Sequence, residues 1–276
     1  MQLKYLQTLL EPSKSGASKI SAIAFSPDNL RLAVCHERTI WLFDEQGEKR
    51  DKFATKPMDS KYGKKSYVVT SLAFSPDSGK LAIGQSDNIV FVYKIGAEWG
   101  DKKSICNKFI VTSPVTAMCW PQENSIYFGI AEGKVRLANT RTNKSSTVYN
   151  VNSYTVSLVA NSRNSGIISS HADGQLVRFV IQESEVHPSE VNGKVVVHTC
   201  PATALAWTPN GYFCGGADRK IIIYGKNGKG LFNMKDYLYF LKTEGPTDHR
   251  FGLGCNMYFL IRRKVKSLLN LNCIGF

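Results

Sequence analysis

The side chains that could do chemistry in this 276-residue chain are few, and their spacing argues against it. His171 and Asp173 stand close enough to set an imidazole beside a carboxylate for proton transfer. Ala172-Asp173-Gly174, however, reads more simply as a tight hairpin turn. The five histidines show no ligand spacing, and the seven cysteines include no Cys-x-x-Cys pair. Neither a zinc site nor a disulfide framework is expected from them. Gly228-Lys229-Gly230 and Gly252-Leu253-Gly254 lack the strand-to-helix setting of a nucleotide loop. No Gly-x-Ser-x-Gly elbow and no His-Glu-x-x-His motif is present. The sequence therefore points to no catalytic, cofactor-binding or metal-binding residue, to no small-molecule substrate, and away from an enzyme.

Charge is the remaining functional signal. Residues 49–65 hold seven Lys or Arg against two Asp, a local charge of +5. Too long and too polar for a hairpin turn, this stretch reads either as a solvated loop or as a docking surface for an acidic partner. Lys61, Lys64 and Lys65 are the expected partner contacts. From Lys226 onward nine Lys or Arg face three acids, giving +6 of the net +13. The basic residues are thus divided between one loop and one end of the chain, and no nucleic-acid-binding module accompanies them. Nucleic-acid binding is the less favoured reading.

The elements that must carry these residues are short strands. YVVTSLAFSPDSGKLAIGQSDNIVFVYK, Tyr67 to Lys94, reads as three apolar runs separated by Ser75-Pro76-Asp77-Ser78 and by Ser86-Asp87-Asn88. Proline fixes φ in the first turn, and the Ser and Asp side chains can bond nearby amides there. One such sheet cannot bury both faces, so copies are expected. They occur at Ile20 to Phe43, Val115 to Asn139, Thr155 to Ile181 and Ala202 to Tyr224. The equivalent positions Phe25, Phe74, Trp120, Ala160 and Trp207 are 49, 46, 40 and 47 residues apart. The hairpin acids Glu37, Asp87, Glu132, Asp173 and Asp218 follow at intervals of 50, 45, 41 and 45. Lys49 to Phe53 is expected to add an outer strand to the first copy.

A period of about 40–45 residues with four short strands per unit resembles the WD-repeat pattern. The Trp-Asp dipeptide itself is absent, and Phe43-Asp44 is the nearest approach. The expected fold is all-β: a WD-repeat β-propeller of about five four-stranded blades, an incomplete or open ring, and an atypical C-terminal tail. The blades are placed near 11–54, 67–110, 114–149, 154–198 and 201–227, after an N-terminal strand at 2–10. Residues 1–227 would form the propeller, and 228–276 a divergent basic tail. In WD repeats a His before the first strand often bonds the hairpin acid. That resemblance pairs His198 with Asp218 in a structural role. Phe74, Trp120 and Trp207 are expected in the core.

Longer strings carry a narrower resemblance. DKFATKP (Asp51 to Pro57), KYGKKSY (Lys61 to Tyr67), GQSDNIVFVYKIG (Gly84 to Gly96), WGDKKSICNKFI (Trp99 to Ile110) and GIAEGKVRLANTRTNKSST (Gly129 to Thr147) resemble the amino-terminal propeller of the intraflagellar transport protein 172 family. MQLKYLQTLL and GGADRKIIIYGK, Gly215 to Lys226, are similar as well. The resemblance implies a protein-binding scaffold of the complex B machinery for cilium assembly and maintenance. Its partners would be other complex B proteins, and its place the cilium (axoneme and basal body) and the cytoplasm. Vesicle-coat subunits also join propellers to helical solenoids and stand as the alternative. Members of the resembled family run on into further blades, a second propeller and an α-solenoid. The chain is therefore expected to be a short or truncated form whose open arc is less stable than a closed ring and prone to self-association. No apolar run approaches the length of a membrane span, and MQLKYLQTLL lacks the features of a secretory signal, so an intracellular protein is expected.

Overall fold

The first strand of every sheet breaks register at its second residue, and the rest of the fold hangs on those strands. The computed structural model describes residues 9, 20–59, 66–181, 193–208, 211–216, 218, 221–225 and 229–233. Among them are twenty strands and no helix. They divide between two compact units, Met1–Asn150 and Val151–Phe276.

The first unit holds three antiparallel four-stranded meanders. The first comprises β1 (Ile20–Phe25), β2 (Leu32–His36), β3 (Thr39–Phe43) and β4 (Lys49–Ala54). The second comprises β5 (Val69–Phe74), β6 (Lys80–Gln85), β7 (Ile89–Lys94) and β8 (Ser104–Ile110). The third comprises β9 (Val115–Gln122), β10 (Ser125–Ile130), β11 (Lys134–Asn139) and β12 (Lys144–Asn150). In the second unit, β13 (Thr155–Ala160), β14 (Gly166–His171), β15 (Gln175–Val180) and β16 (Gly193–Val197) form one sheet. Its neighbour is built from β17 (Ala202–Thr208), β18 (Gly211–Gly216), β19 (Ile221–Gly225) and β20 (Gly230–Asn233). These are the all-β, four-stranded blades that the sequence leads one to expect. The last strand runs past residue 227, so the fifth sheet takes its outer edge from residues assigned on sequence to the tail. The expected N-terminal strand at 2–10, residue 9 apart, and residues beyond 233 lie outside the described residues.

Strand composition follows burial. β6 and β7, KLAIGQ and IVFVYK, are covered on both faces and read as continuous apolar runs. The outer strands β4 and β8, KRDKFA and SICNKFI, alternate because one face meets water. Within the first unit β1 packs on β5 and β5 on β9; within the second, β13 packs on β17. Ala33, Ile40, Leu42, Phe74, Leu81, Ile83 and Phe91 fill the space between the first two sheets. Val90, Val92, Trp120, Ile126 and Phe128 do so between the second and third. Ile168, Leu205, Tyr212 and Tyr224 do so in the second unit.

The turns recur with the same chemistry. In the first sheet Ser26 Oγ bonds Asp28, and the Arg31 amide donates to Ser26 Oγ at 2.9 Å. In the second, Ser75 Oγ bonds Asp77, and the Lys80 amide donates to Ser75 Oγ, again at 2.9 Å. Asn161 takes the same place in the fourth sheet, accepting the Ser165 amide at 2.9 Å. Such side chains satisfy amides that the reversing backbone leaves unpaired. The register breaks fall at Ser21, Thr70, Thr116, Val156 and Thr203. Thr70 and Thr203 turn their hydroxyls onto the carbonyls of Gly84 and Gly215, at 3.1 and 3.4 Å. Bulges of this kind twist the strand and re-aim the side chains beyond them.

Candidate functional site

One edge of each sheet carries the hairpin turn between its second and third strands, and there the hairpin acids meet the segment that enters the first strand. Asp87 accepts the Met58 amide at 2.8 Å. Beside it the Val68 amide donates to Ser86 Oγ at 2.9 Å. The Glu132 amide donates to Ser113 Oγ at 3.3 Å, and Glu132 pairs with Lys134 at 2.7 Å. Glu37 sits in the β2–β3 turn with a left-handed φ of 57°.

In the first unit this edge anchors the basic loop at both ends. The Thr55 amide and hydroxyl donate to the Arg38 carbonyl at 2.8 and 2.9 Å. The Thr55 hydroxyl also lies 2.9 Å from the Tyr67 hydroxyl, joining the start of the loop to its end. The Arg38 guanidinium lies 4.7 Å from the centre of the Tyr67 ring, a cation–π contact. Thr55 and Tyr67 are buried, whereas Arg38, Lys56, Met58 and Val68 are exposed. Burial pushes the pKa of Tyr93, close to Tyr67, up to about 12. The result is a fixed base with cationic and apolar groups displayed together. Lys61, Lys64 and Lys65, the contacts expected from sequence, lie outside the described residues. The anchors Arg38, Thr55, Met58 and Tyr67 were not found by sequence reasoning, because each contact joins residues whose individual types carry no motif.

In the second unit the corresponding edges hold four residues singled out from sequence: His171, Asp173, His198 and Asp218. His171 is wholly buried, with Nδ1 2.9 Å from the Ser153 carbonyl and Nε2 2.8 Å from Ser169 Oγ. A carbonyl can only accept, so Nδ1 carries the proton and Nε2 accepts from the hydroxyl. Burial lowers the His171 pKa, against the opposing influence of the Ser153 carbonyl and Asp173. A Ser–His pair without exposure cannot meet a substrate. Asp173 bonds Gln175 and the Ser153 hydroxyl as part of the turn. Gly174, with φ of 83°, sits where a Cβ would lie 2.3 Å from the His198 carbonyl, so only glycine closes this turn. His198 puts Nδ1 2.7 Å from the Tyr224 hydroxyl, and Asp218 accepts from Thr199 Oγ1 at 2.6 Å.

The aromatic repeat positions differ in burial. Phe74 and Trp120 are buried, each facing the preceding sheet. Trp120 also donates to the Glu123 carbonyl at 3.2 Å. Trp207 packs against the second unit's core beside Tyr212, ring centres 5.8 Å apart. Phe25, in the first sheet, is 46% exposed.

The family described as WD domain, G-beta repeat matches residues 4–44, 56–94 and 190–225. Three segments of the chain thus match WD40 repeats. Among solved structures, that of U3-55K superposes with a TM-score of 0.65 at 16% identity, over 79% of this chain and 65% of that one. A chain of the mitotic checkpoint complex gives 0.63 at 19% identity, over 78% and 63%. These likenesses concern the propeller fold alone. The WD40 match omits residues 95–189, yet the sheets there keep the same strand order. Among named relatives, the human intraflagellar transport protein 172 homolog is 57% identical over 232 residues. Intraflagellar transport protein 172 of Chlamydomonas reinhardtii is 41% identical over 241 residues, and osm-1 of Caenorhabditis elegans 40% over 229. Between 83% and 84% of this chain is covered in each case. The chain spans 13% of the length of these relatives.

Proposed function

We propose that this WD40 chain is a non-enzymatic protein-binding scaffold of the intraflagellar transport complex B machinery. It serves cilium assembly and maintenance, with other complex B proteins as partners and the cilium and cytoplasm as its places of work. The observation that carries the reading is 57% identity over 84% of the chain to relatives named for intraflagellar transport. Identity on that scale extends beyond the turns and core positions that any WD40 sheet needs. The docking element is the loop pinned between Thr55 and Tyr67, whose lysines suit an acidic surface. Loops held on a rigid sheet edge are where such scaffolds carry recognition.

Affinity capture from ciliated cells tests this, comparing the tagged chain with a Lys61→Ala, Lys64→Ala, Lys65→Ala version. Complex B subunits are expected with the first and are expected to be depleted with the second. Recovery of vesicle-coat subunits in their place, or equal recovery of complex B with both versions, would overturn the assignment of the partner or of the loop.

A further inference from the structure

His198, Cys200 and Asp218 place one ligand atom each within 4.8 Å of one another. Imidazole, thiol and carboxylate are the donors that zinc takes, and they come here from two segments: the loop between β16 and β17, and the β18–β19 turn. In a tetrahedral zinc centre the ligand atoms sit about 3.5 Å apart, as bond lengths near 2.0–2.3 Å dictate.

Two further features favour a ligand set over a chance encounter. The imidazole and the carboxylate each have an outer partner that fixes their aim. Tyr224 hydroxyl holds His198 Nδ1 at 2.7 Å, and Thr199 Oγ1 holds Asp218 Oδ2 at 2.6 Å. Metal-binding side chains are oriented in this way by a second layer of hydrogen bonds. The sulfur, in turn, is seated in a hollow that a side chain would fill. A Cβ on Gly216 would lie 2.5 Å from Cys200 Sγ and equally close to the Pro201 carbonyl. Glycine at the end of β18 lets the thiol reach the turn that carries Asp218.

We propose that His198, Cys200 and Asp218 form a zinc-class divalent metal site that clasps the loop entering β17 to the β18–β19 turn. The thiol gives up its proton to solvent on binding, and water fills the fourth position. A hard ion such as magnesium or calcium is a poor match to a thiolate. Neither His-x-Cys nor the interval to Asp218 is a recognised spacing, so the sequence alone did not point here.

The test uses the full chain, reduced and stripped by chelator, with cobalt(II) and zinc(II) as probes. Cobalt is expected to give the visible absorption of a four-coordinate site and a near-ultraviolet thiolate charge-transfer band, and zinc to bleach both. Cys200→Ser should abolish the charge-transfer band, and Asp218→Asn should weaken cobalt binding by more than about tenfold. Cys106→Ser, on the outer strand β8, should change neither. Unsubstituted chain gives a second reading that does not depend on a variant folding. Zinc should protect Cys200, but not Cys106, from alkylation as read by peptide mass. Absence of the cobalt bands, their survival in Cys200→Ser, or unaltered alkylation of Cys200 under zinc would overturn the proposal.

Discussion

His171 shows how a residue type that suggests catalysis is spent on structure. Its ring is wholly buried between the Ser153 carbonyl and the Ser169 hydroxyl, and in the neutral ring Nδ1 donates to the first and Nε2 accepts from the second. Burial lowers its pKa from the ordinary value of 6.5. The unfolded chain therefore takes up a proton below 6.5 that the folded chain refuses, so stability falls as pH drops through that region. His171→Gln, which has no proton to take up, should lose less stability than the unsubstituted chain between about pH 7 and about pH 5. Urea unfolding at the two pH values measures this, and equal losses in both proteins would contradict it. The carboxylates do not confuse the window. Those of Asp28, Asp51, Asp77 and Asp173 are held below their ordinary 3.8 in the folded chain, and so titrate at lower pH. At this scale the turn residues were legible in sequence. Ser75 and Asp77 were read as turn-formers, and they bond each other and the amides of Lys80 and Gly79. Arg38 over Tyr67 was not legible. A cation–π contact leaves no periodic trace, and it exists only because the β2–β3 turn and the segment entering β5 are brought to one edge.

Among elements, β5, β9 and β17 each do two jobs. Each pairs within its own sheet and packs its aromatic against the sheet before it. Phe74 and Trp120 have such a neighbour and are buried, while Phe25 opens the first sheet and is 46% exposed. Identical places in the repeat thus carry different energies. Trp120→Ala should cost about 3–5 kcal/mol, the range for a large core aromatic. Phe25→Ala should cost about 1 kcal/mol or less, as fits a partly exposed side chain. Denaturant titration of the two variants decides the matter, and a comparable loss for both would contradict the packing described. The strands were legible because apolar runs broken by Ser-Pro-Asp and by hairpin acids carry a clear period. Their bulges were not. A residue that skips its partner, such as Thr70 or Thr116, differs from an ordinary strand residue in backbone geometry and not in type. The outer strand β20 was also missed, because GLFN is short and lies in a stretch with no echo of the repeat.

For the molecule as a whole, the net charge of +13 gains meaning from where it is placed. A basic loop is fastened by its ends to the hairpin-turn edge through Thr55, Met58, Tyr67 and Val68, beside exposed Arg38 and Lys56. Charge concentrated on such a surface raises the rate of meeting an acidic partner, and apolar groups such as Met58 and Val68 can then hold it. The most direct test is amide hydrogen exchange of the full chain, alone and mixed with purified complex B particles. Protection is predicted along residues 36–38, 55–59, 66–68 and 86–88, where the loop meets the turns. Unchanged exchange there, with protection absent or confined to the opposite sheet edge, would contradict a docking role for this surface.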